Sequence, residues 1–174
     1  MKKNVILLIS ILWIFIGSHA FSQESEGLLK RIPSVKIKDA KGNSIDASSI
    51  SNFGKPFIIC FWKTCCKPPL QELDAISEVY EDWQDETGVV LYAVSVDDAR
   101  TSAQALPYAN GQGYEFEILL DPNSDLKRAM NVNLIPSTFI CDGKGNIIWQ
   151  KTMYVPGDEN EIFRMLKHAA STSE

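Results

Sequence analysis

Short apolar segments alternate with helical segments along the chain, and this order constrains the fold more than any other feature. The run Phe57–Trp62 is apolar throughout, which is typical of a central strand covered on both faces. Val89–Val96 is a second such run, and Phe116–Leu120 is a shorter one. Ser137–Cys141 and Asn146–Lys151 predict an antiparallel hairpin.

Four helical patterns separate or follow these strands. The first carries an apolar stripe and ends at Gly88, whereas the second is broken by Pro107 and Gly111. Residues 121–124 cap the third, which runs to about residue 131, and Asp158 caps the fourth. The stripe of the first pattern consists of Leu70, Leu73, Ile76, Val79, Tyr80 and Trp83.

An N-terminal hairpin completes the order, because Val35–Lys38 alternates like a half-buried strand and Asp39–Asn43 then turns the chain. The full series is hairpin, β, α, β, α, β, α, β, β, α. It predicts an α/β fold in which a mixed central sheet carries helices on both faces. Residues 32–170 are expected to form this one domain, followed by a tail of residues 171–174.

The first residues are typical of a secretory signal peptide. Lys2 and Lys3 precede an apolar run of about a dozen residues, and small residues follow it. Cleavage is expected after Ala20 or after Ser22, and both sites remain open. The alternative is an uncleaved anchor, but the run is short for a bilayer span. We therefore predict an exported, periplasmic protein with a loose segment over residues 21–31 and no membrane attachment after cleavage.

Composition excludes several function classes. Lys and Arg total 17 against 22 Asp and Glu, a net charge of −5, so no basic surplus exists to neutralise nucleic-acid phosphates. The chain contains two histidines, which argues against a His-rich metal or haem site. We expect no cofactor and no metal.

A pair of adjacent cysteines, Cys65 and Cys66, stands where the buried strand meets a helix. A thiol at a helix N-terminus feels the positive end of the dipole, which lowers the thiol pKa and raises reactivity. Lys63 and Lys67 add positive charge nearby, and the prolines that follow fit the first helical turn. The alternative is an inert, buried pair.

The segment around Cys66 resembles the thioredoxin superfamily, and within it the exported TlpA-type thiol–disulfide oxidoreductases. Their motif reads roughly Trp-Ala-x-Trp-Cys-x-Pro-Cys, and four residues match it in register, namely Trp62, Thr64, Cys66 and Pro68. The resemblance implies a thioredoxin-like three-layer sandwich, Cys66 as the attacking thiol and Glu72 as a functional acid. It also implies a cis Ile135–Pro136 bond and a substrate groove lined by Trp62, Lys63, Thr64, Lys67, Pro68, Ile135 and Pro136.

Three residues depart from that motif. Pro69 replaces the second cysteine, Cys65 replaces the tryptophan, and Lys63 replaces the alanine. Two-cysteine exchange needs a second thiol to release the mixed disulfide. Because Pro69 has no thiol, the usual two-cysteine reaction cannot be completed at this position. Pro69 also disfavours helical geometry at Pro68, which predicts a later helix start.

Other residues leave alternatives open. Cys65 could resolve the mixed disulfide through a strained vicinal bond. Cys60 takes the place of the superfamily's buried acid and is either a resolving thiol, within about 7 Å of Cys66, or an apolar filler.

Cys141 is expected to pack in a strand. Glu72 is either a buried proton carrier or a solvated acid in the first turn of the helix. The acids at residues 97 and 98 are expected to be solvated.

Two hypotheses follow. The first is an exported thiol–disulfide oxidoreductase in which Cys66 is the single attacking thiol, assisted by Cys65 and Glu72, with protein or small-molecule thiols and disulfides as partners. The second is a redox-inactive module that binds extended peptides. We expect a monomer in either case. A peroxiredoxin is disfavoured because Thr64 lies two residues before Cys66 rather than three, and a copper chaperone because its Cys-x-x-x-Cys pattern is missing.

Overall fold

The computed structural model describes residues 31–171, so the predicted signal peptide, most of the loose segment and most of the tail lie outside the described residues. Within this range no helix is long and apolar enough to cross a membrane. The strands are β1 (Lys36–Asp39), β2 (Ser44–Asp46), β3 (Phe57–Trp62), β4 (Val90–Ser95), β5 (Glu117–Leu120), β6 (Ser137–Cys141) and β7 (Ile147–Thr152). The α-helices are α1 (Lys67–Ser77), α2 (Tyr80–Thr87), α3 (Ala105–Gln112), α4 (Asp125–Ala129) and α5 (Asp158–Ser171).

The seven strands of the described range form one mixed sheet in the order β2-β1-β5-β4-β3-β6-β7. Strand β3 pairs parallel to β4 and antiparallel to β6, and β4 pairs parallel to β5. The N-terminal hairpin of β1 and β2 extends the β5 edge in antiparallel pairing. The predicted order of elements and the mixed sheet are therefore confirmed.

Strand β3 divides the interior into two cores, because its side chains alternate between the faces of the sheet. Ile58, Cys60 and Trp62 pack on the face covered by α1, α2, α3 and α5. Phe57, Ile59 and Phe61 pack on the opposite face, against residues of α4 and of the segment before β3. All six side chains are fully buried, as a continuous apolar strand in the middle of a sheet requires.

Two helix predictions need correction. The stripe predicted as one helix is divided between α1 and α2 at Val79, where φ and ψ leave the helical region. The break lets the Tyr80 hydroxyl accept a hydrogen bond from the Leu91 backbone N–H. Pro107 does not break the next helix, because it lies in the first turn of α3, where a backbone N–H has no intrahelical partner.

The register of β3 brings three chain segments to one edge of the sheet. Trp62 pairs with Ser95 of β4, and Phe61 pairs with Ser137 of β6. Since β4 runs parallel to β3 and β6 runs antiparallel, the residues after Trp62 meet the residues after Ser95 and those before Ser137. This edge therefore gathers Cys65 and Cys66, the loop after β4 and the Ile135–Pro136 segment.

The turn between β6 and β7 packs closely on the loop before β3. A Cβ atom at Gly143 would collide with the backbone of Gly54. We therefore expect Gly143→Ala to lower the free energy of unfolding by about 1–3 kcal/mol through overpacking. Denaturant unfolding of the purified variant measures the change.

Gly111→Ala is the matched control for this substitution. Gly111 lies inside α3, and no atom lies within 4 Å of the position that its Cβ would take. Replacing a helical glycine by alanine should raise the free energy of unfolding by about 0.5–1 kcal/mol. Equal effects of the two substitutions would contradict the packing described for Gly143.

Candidate active site

Cys66 is the N-cap residue of α1, and the helix begins directly after it at Lys67. The later start predicted from Pro69 is wrong. Pro68 and Pro69 lie in the first turn, where missing N–H groups remove no intrahelical hydrogen bond. Their fixed φ suits the helix at this point, so the thiol is held at the helix N-terminus as the sequence predicts.

The two neighbouring thiols lie in contact. The Sγ atoms of Cys65 and Cys66 are 3.7 Å apart, and the Cys66 backbone N–H donates to the Lys63 carbonyl at 3.2 Å in a tight turn. Cys65 is exposed and Cys66 is partly buried. Both sulfurs are thus presented on the loop between β3 and α1, which excludes the alternative of a buried pair.

The electrostatics of Cys66 differ from the prediction. Partial burial raises the pKa of the Cys66 thiol, and the hydrogen bond to Cys65 raises it further. The positive charge of Lys63 lowers this pKa without reversing the shift, and Asp97 opposes Lys63. The expected lowering of this pKa is therefore wrong, and desolvation of the thiolate is the largest cause of the increase.

Asp97 anchors the cysteine loop and was wrongly predicted to be solvated. Its side chain is buried and accepts from the Thr64 backbone N–H at 3.0 Å, the Thr64 hydroxyl at 2.7 Å and the Ser95 hydroxyl at 2.8 Å. The sequence did contain a signal for this role, since Asp97 comes just after β4, the parallel neighbour of β3. The three hydrogen bonds compensate for the burial of the carboxyl group.

Beneath the loop, Glu72 of α1 is buried in the core. The Cys60 thiol donates to Glu72 Oε2 at 3.2 Å, and the Thr138 hydroxyl lies 3.0 Å from both carboxyl oxygens. Burial raises the pKa of Glu72 to about 7, although the hydrogen bonds from Cys60 and Thr138 lower it. The structure therefore selects the buried alternative for Glu72.

Cys60 is more than an apolar filler, since its thiol is a hydrogen-bond donor to Glu72. Burial and the neighbouring Glu72 carboxylate raise the pKa of Cys60 well above its usual value. Cys141 is buried in β6, as predicted, and burial raises its pKa to about 12. Neither thiol reaches the surface. Thr138, the third member of the Glu72 cluster, was missed because a threonine in a strand carries no distinctive sequence signal.

Trp62 does not form the floor of a groove. Its ring is completely buried beside Tyr108, and the indole Nε1–H has no hydrogen-bond partner. Trp62 is thus a core residue, because β3 turns its side chain into the face covered by α3. Of the other predicted groove residues on this loop, Lys63 and Thr64 are partly buried, and Lys67 and Pro68 are exposed.

The opposite side of the site is formed by the segment before β6. The Ile135–Pro136 peptide bond is cis, Ile135 is partly buried and Pro136 is buried. Leu134 and Met153 are apolar residues with 58% and 48% of their surface exposed, and the Met153 backbone N–H donates to the Pro136 carbonyl. These two side chains were not predicted. They supply exposed apolar surface on this side.

The described range offers no metal centre: over residues 31–171, no three His, Cys, Asp or Glu side chains are grouped to hold an ion. The chemistry available at this edge of the sheet is that of two accessible thiols, a buried carboxyl group and a buried thiol. Such groups exchange protons and form or break disulfides.

The raised pKa of Glu72 makes stability depend on pH. The folded protein holds the proton up to about pH 7, whereas an unfolded glutamate releases it near 4.5. Stability from this group is therefore complete below pH 4.5 and is lost as pH rises through 7, by about 3 kcal/mol in all. Glu72→Gln should remove this slope, which urea unfolding at several pH values measures. The exposed Glu78→Gln is the control and should retain the slope.

The anchoring role of Asp97 gives a second prediction. Asp97→Asn turns an NH₂ group towards a hydroxyl or amide donor of Thr64 or Ser95, so a buried hydrogen bond is lost. We expect the free energy of unfolding to fall by about 1–3 kcal/mol. Asp98→Asn, at a more exposed residue that bonds Arg100, should change it far less in the same assay. A small effect at both positions would refute the anchoring role.

Comparison with known proteins agrees with this arrangement. The chain is 27% identical over 159 residues to "Thiol-disulfide oxidoreductase ResA" of Bacillus thuringiensis, covering 86% of this chain and 89% of the relative. It is 47% identical to an uncharacterized thioredoxin-like protein of Porphyromonas gingivalis, with a TM-score of 0.75 over 82% of this chain and 94% of that one. The fold also matches StoA of Bacillus subtilis, at 23% identity and a TM-score of 0.58 over 76% of this chain and 99% of that one. The predicted thioredoxin-like fold is thus confirmed.

A model of the AhpC/TSA family matches residues 28–150. Because this match spans well over half of the chain, the chain belongs to the AhpC/TSA family.

Proposed function

We propose that this protein is a TlpA-type thiol–disulfide oxidoreductase in which Cys66 is the attacking thiol. The observation that carries the proposal is the position of Cys66, partly exposed at the N-cap of α1 and on the sheet edge shared with cis-Pro136. The relative in Bacillus thuringiensis is named for the same chemistry. Family membership supports a thioredoxin-like fold around this thiol.

In the reaction, the Cys66 thiolate attacks one sulfur of a substrate disulfide. A mixed disulfide forms between Cys66 and that sulfur, while the second substrate sulfur leaves as a thiolate and takes up a proton. Because the pKa of Cys66 is raised, the thiolate fraction is small at neutral pH, and the reaction accelerates as pH increases.

Glu72 is the second residue to which we give a role. A carboxyl group with a pKa of about 7 exchanges its proton near neutral pH. Cys60 and Thr138 hold it in one orientation inside the core. Glu72 acts as a buried proton carrier below the cysteine loop.

The substrate in this proposal is a protein or small-molecule disulfide, or the corresponding thiol. Leu134, Ile135 and Met153 provide apolar surface on one side of the site, and Lys63 and Lys67 provide positive charge on the other. An extended, apolar segment around a substrate cysteine fits between them. The N-terminal sequence supports export to the periplasm without membrane attachment after cleavage at Ala20 or Ser22. We further propose that the exported protein acts as a monomer.

One alternative has specific support. The raised pKa of Cys66 and the proline at position 69 favour a redox-inactive module that binds extended peptides in the same groove. Both functions place the ligand at the same edge of the sheet, so they differ only in whether Cys66 reacts.

Reduction of insulin by dithiothreitol distinguishes the two functions. We expect the wild-type protein to accelerate precipitation of the reduced insulin chains and Cys66→Ser to abolish this acceleration. Cys141→Ala, at a buried cysteine away from the loop, is the matched control and should keep it. Identical curves for the wild type and Cys66→Ser would overturn the oxidoreductase proposal in favour of the binding module.

A further inference from the structure

Resting on the proposed function, the geometry points to Cys65 as the resolving thiol: a vicinal Cys65–Cys66 disulfide replaces the bond that Pro69 prevents. A second thiol must attack the Cys66 mixed disulfide before the substrate can leave. In this chain residue 69 cannot supply the second thiol, because it is a proline.

Distance favours Cys65. Its Sγ lies 3.7 Å from Cys66 Sγ, which is van der Waals contact between two sulfurs. Formation of a bond of about 2.05 Å therefore requires the two sulfurs to approach by less than about 2 Å. Because consecutive Cα atoms are about 3.8 Å apart, closer than in most disulfides, the loop backbone between the two residues must also distort. The two residues are neighbours in a loop, so no element of the fold has to move.

Accessibility excludes the other two cysteines. Cys60 and Cys141 are both fully buried, on opposite faces of the sheet. The Cys60 thiol is also held by Glu72. Cys65 is the exposed cysteine of the four, and its sulfur already lies in contact with Cys66 Sγ, the atom that a resolving thiol attacks.

The step balances in atoms and electrons. The Cys65 thiol loses its proton and its sulfur attacks Cys66 Sγ in the mixed disulfide. The Cys65–Cys66 bond forms, the Cys66–substrate bond breaks, and the substrate sulfur leaves as a thiolate that takes up a proton. Over both steps two protein thiols are oxidised to one disulfide, and one substrate disulfide is reduced to two thiols.

The test uses oxidised glutathione as the substrate. The reduced protein is mixed with it, samples are quenched in acid, and the intact mass is followed with time. In the wild type we expect a glutathione adduct that disappears as a species lighter than the reduced protein by two hydrogens accumulates. In Cys65→Ser the adduct should persist at least about tenfold longer. The adduct must then be released by a thiol from solution, instead of by the Cys65 thiol held in contact with Cys66.

Further controls keep the readout specific. Cys141→Ala should behave like the wild type, since Cys141 is buried in β6 on the other face of the sheet. Cys60→Ser should still release the adduct as the lighter species, since its thiol does not reach the loop. Peptide mapping of the Cys65→Ser adduct should place glutathione on Cys66, and Cys66→Ser should form no persistent adduct at Cys65.

Failure of this inference is distinguishable from failure of the proposed function. Adducts of equal lifetime in the wild type and Cys65→Ser would overturn the role of Cys65 and leave Cys66 as the attacking thiol. Loss of resolution in Cys60→Ser instead would assign resolution to Cys60. No adduct in any variant would overturn the reactivity of Cys66 itself, and an adduct confined to Cys65 would reverse the two roles.

Discussion

The pairing of β3 with both of its neighbours is the constraint on which the rest of this structure depends. β3 pairs with β4 along its whole length and with β6 over all but its last residue, and its side chains fill both cores. A shift of one residue would exchange the two faces and move Cys60 away from Glu72. The same register sets where the strand ends, and hence where the two exposed thiols emerge.

Two buried carboxyl groups below the cysteine loop both have hydrogen-bond partners. The first is Asp97, which holds Thr64, and the second is Glu72, which is held by Cys60 and Thr138. Each carboxyl group bridges different secondary-structure elements, the first joining the loops after β3 and β4, the second joining α1, β3 and β6. Because a buried polar group left without partners is costly, both clusters tie the position of the loop to the integrity of the core.

Much of the fold was predictable, because strand periodicity and helix caps are local properties. The bounds predicted for β3 and β6 match the structure, and β1 and β7 each begin and end one residue later than predicted. The placement of Cys66 at the start of a helix was predictable because a motif carried it. The buried state of Asp97 and the pKa of Cys66 were not, because both depend on contacts between segments more than 30 residues apart or on desolvation, which a sequence pattern does not encode.

The two prolines in the first turn of α1 have a further consequence for reactivity. A helix begins with four backbone N–H groups that have no intrahelical acceptor, and these groups are what an anion at the N-terminus binds. Residues 68 and 69 are prolines, so two of those four donors do not exist in this helix. The N-terminus of α1 therefore stabilises a negative charge only weakly, in agreement with the raised pKa of the Cys66 thiol. A thiolate formed at this position is correspondingly basic, and the intrinsic nucleophilicity of a thiolate increases with its basicity.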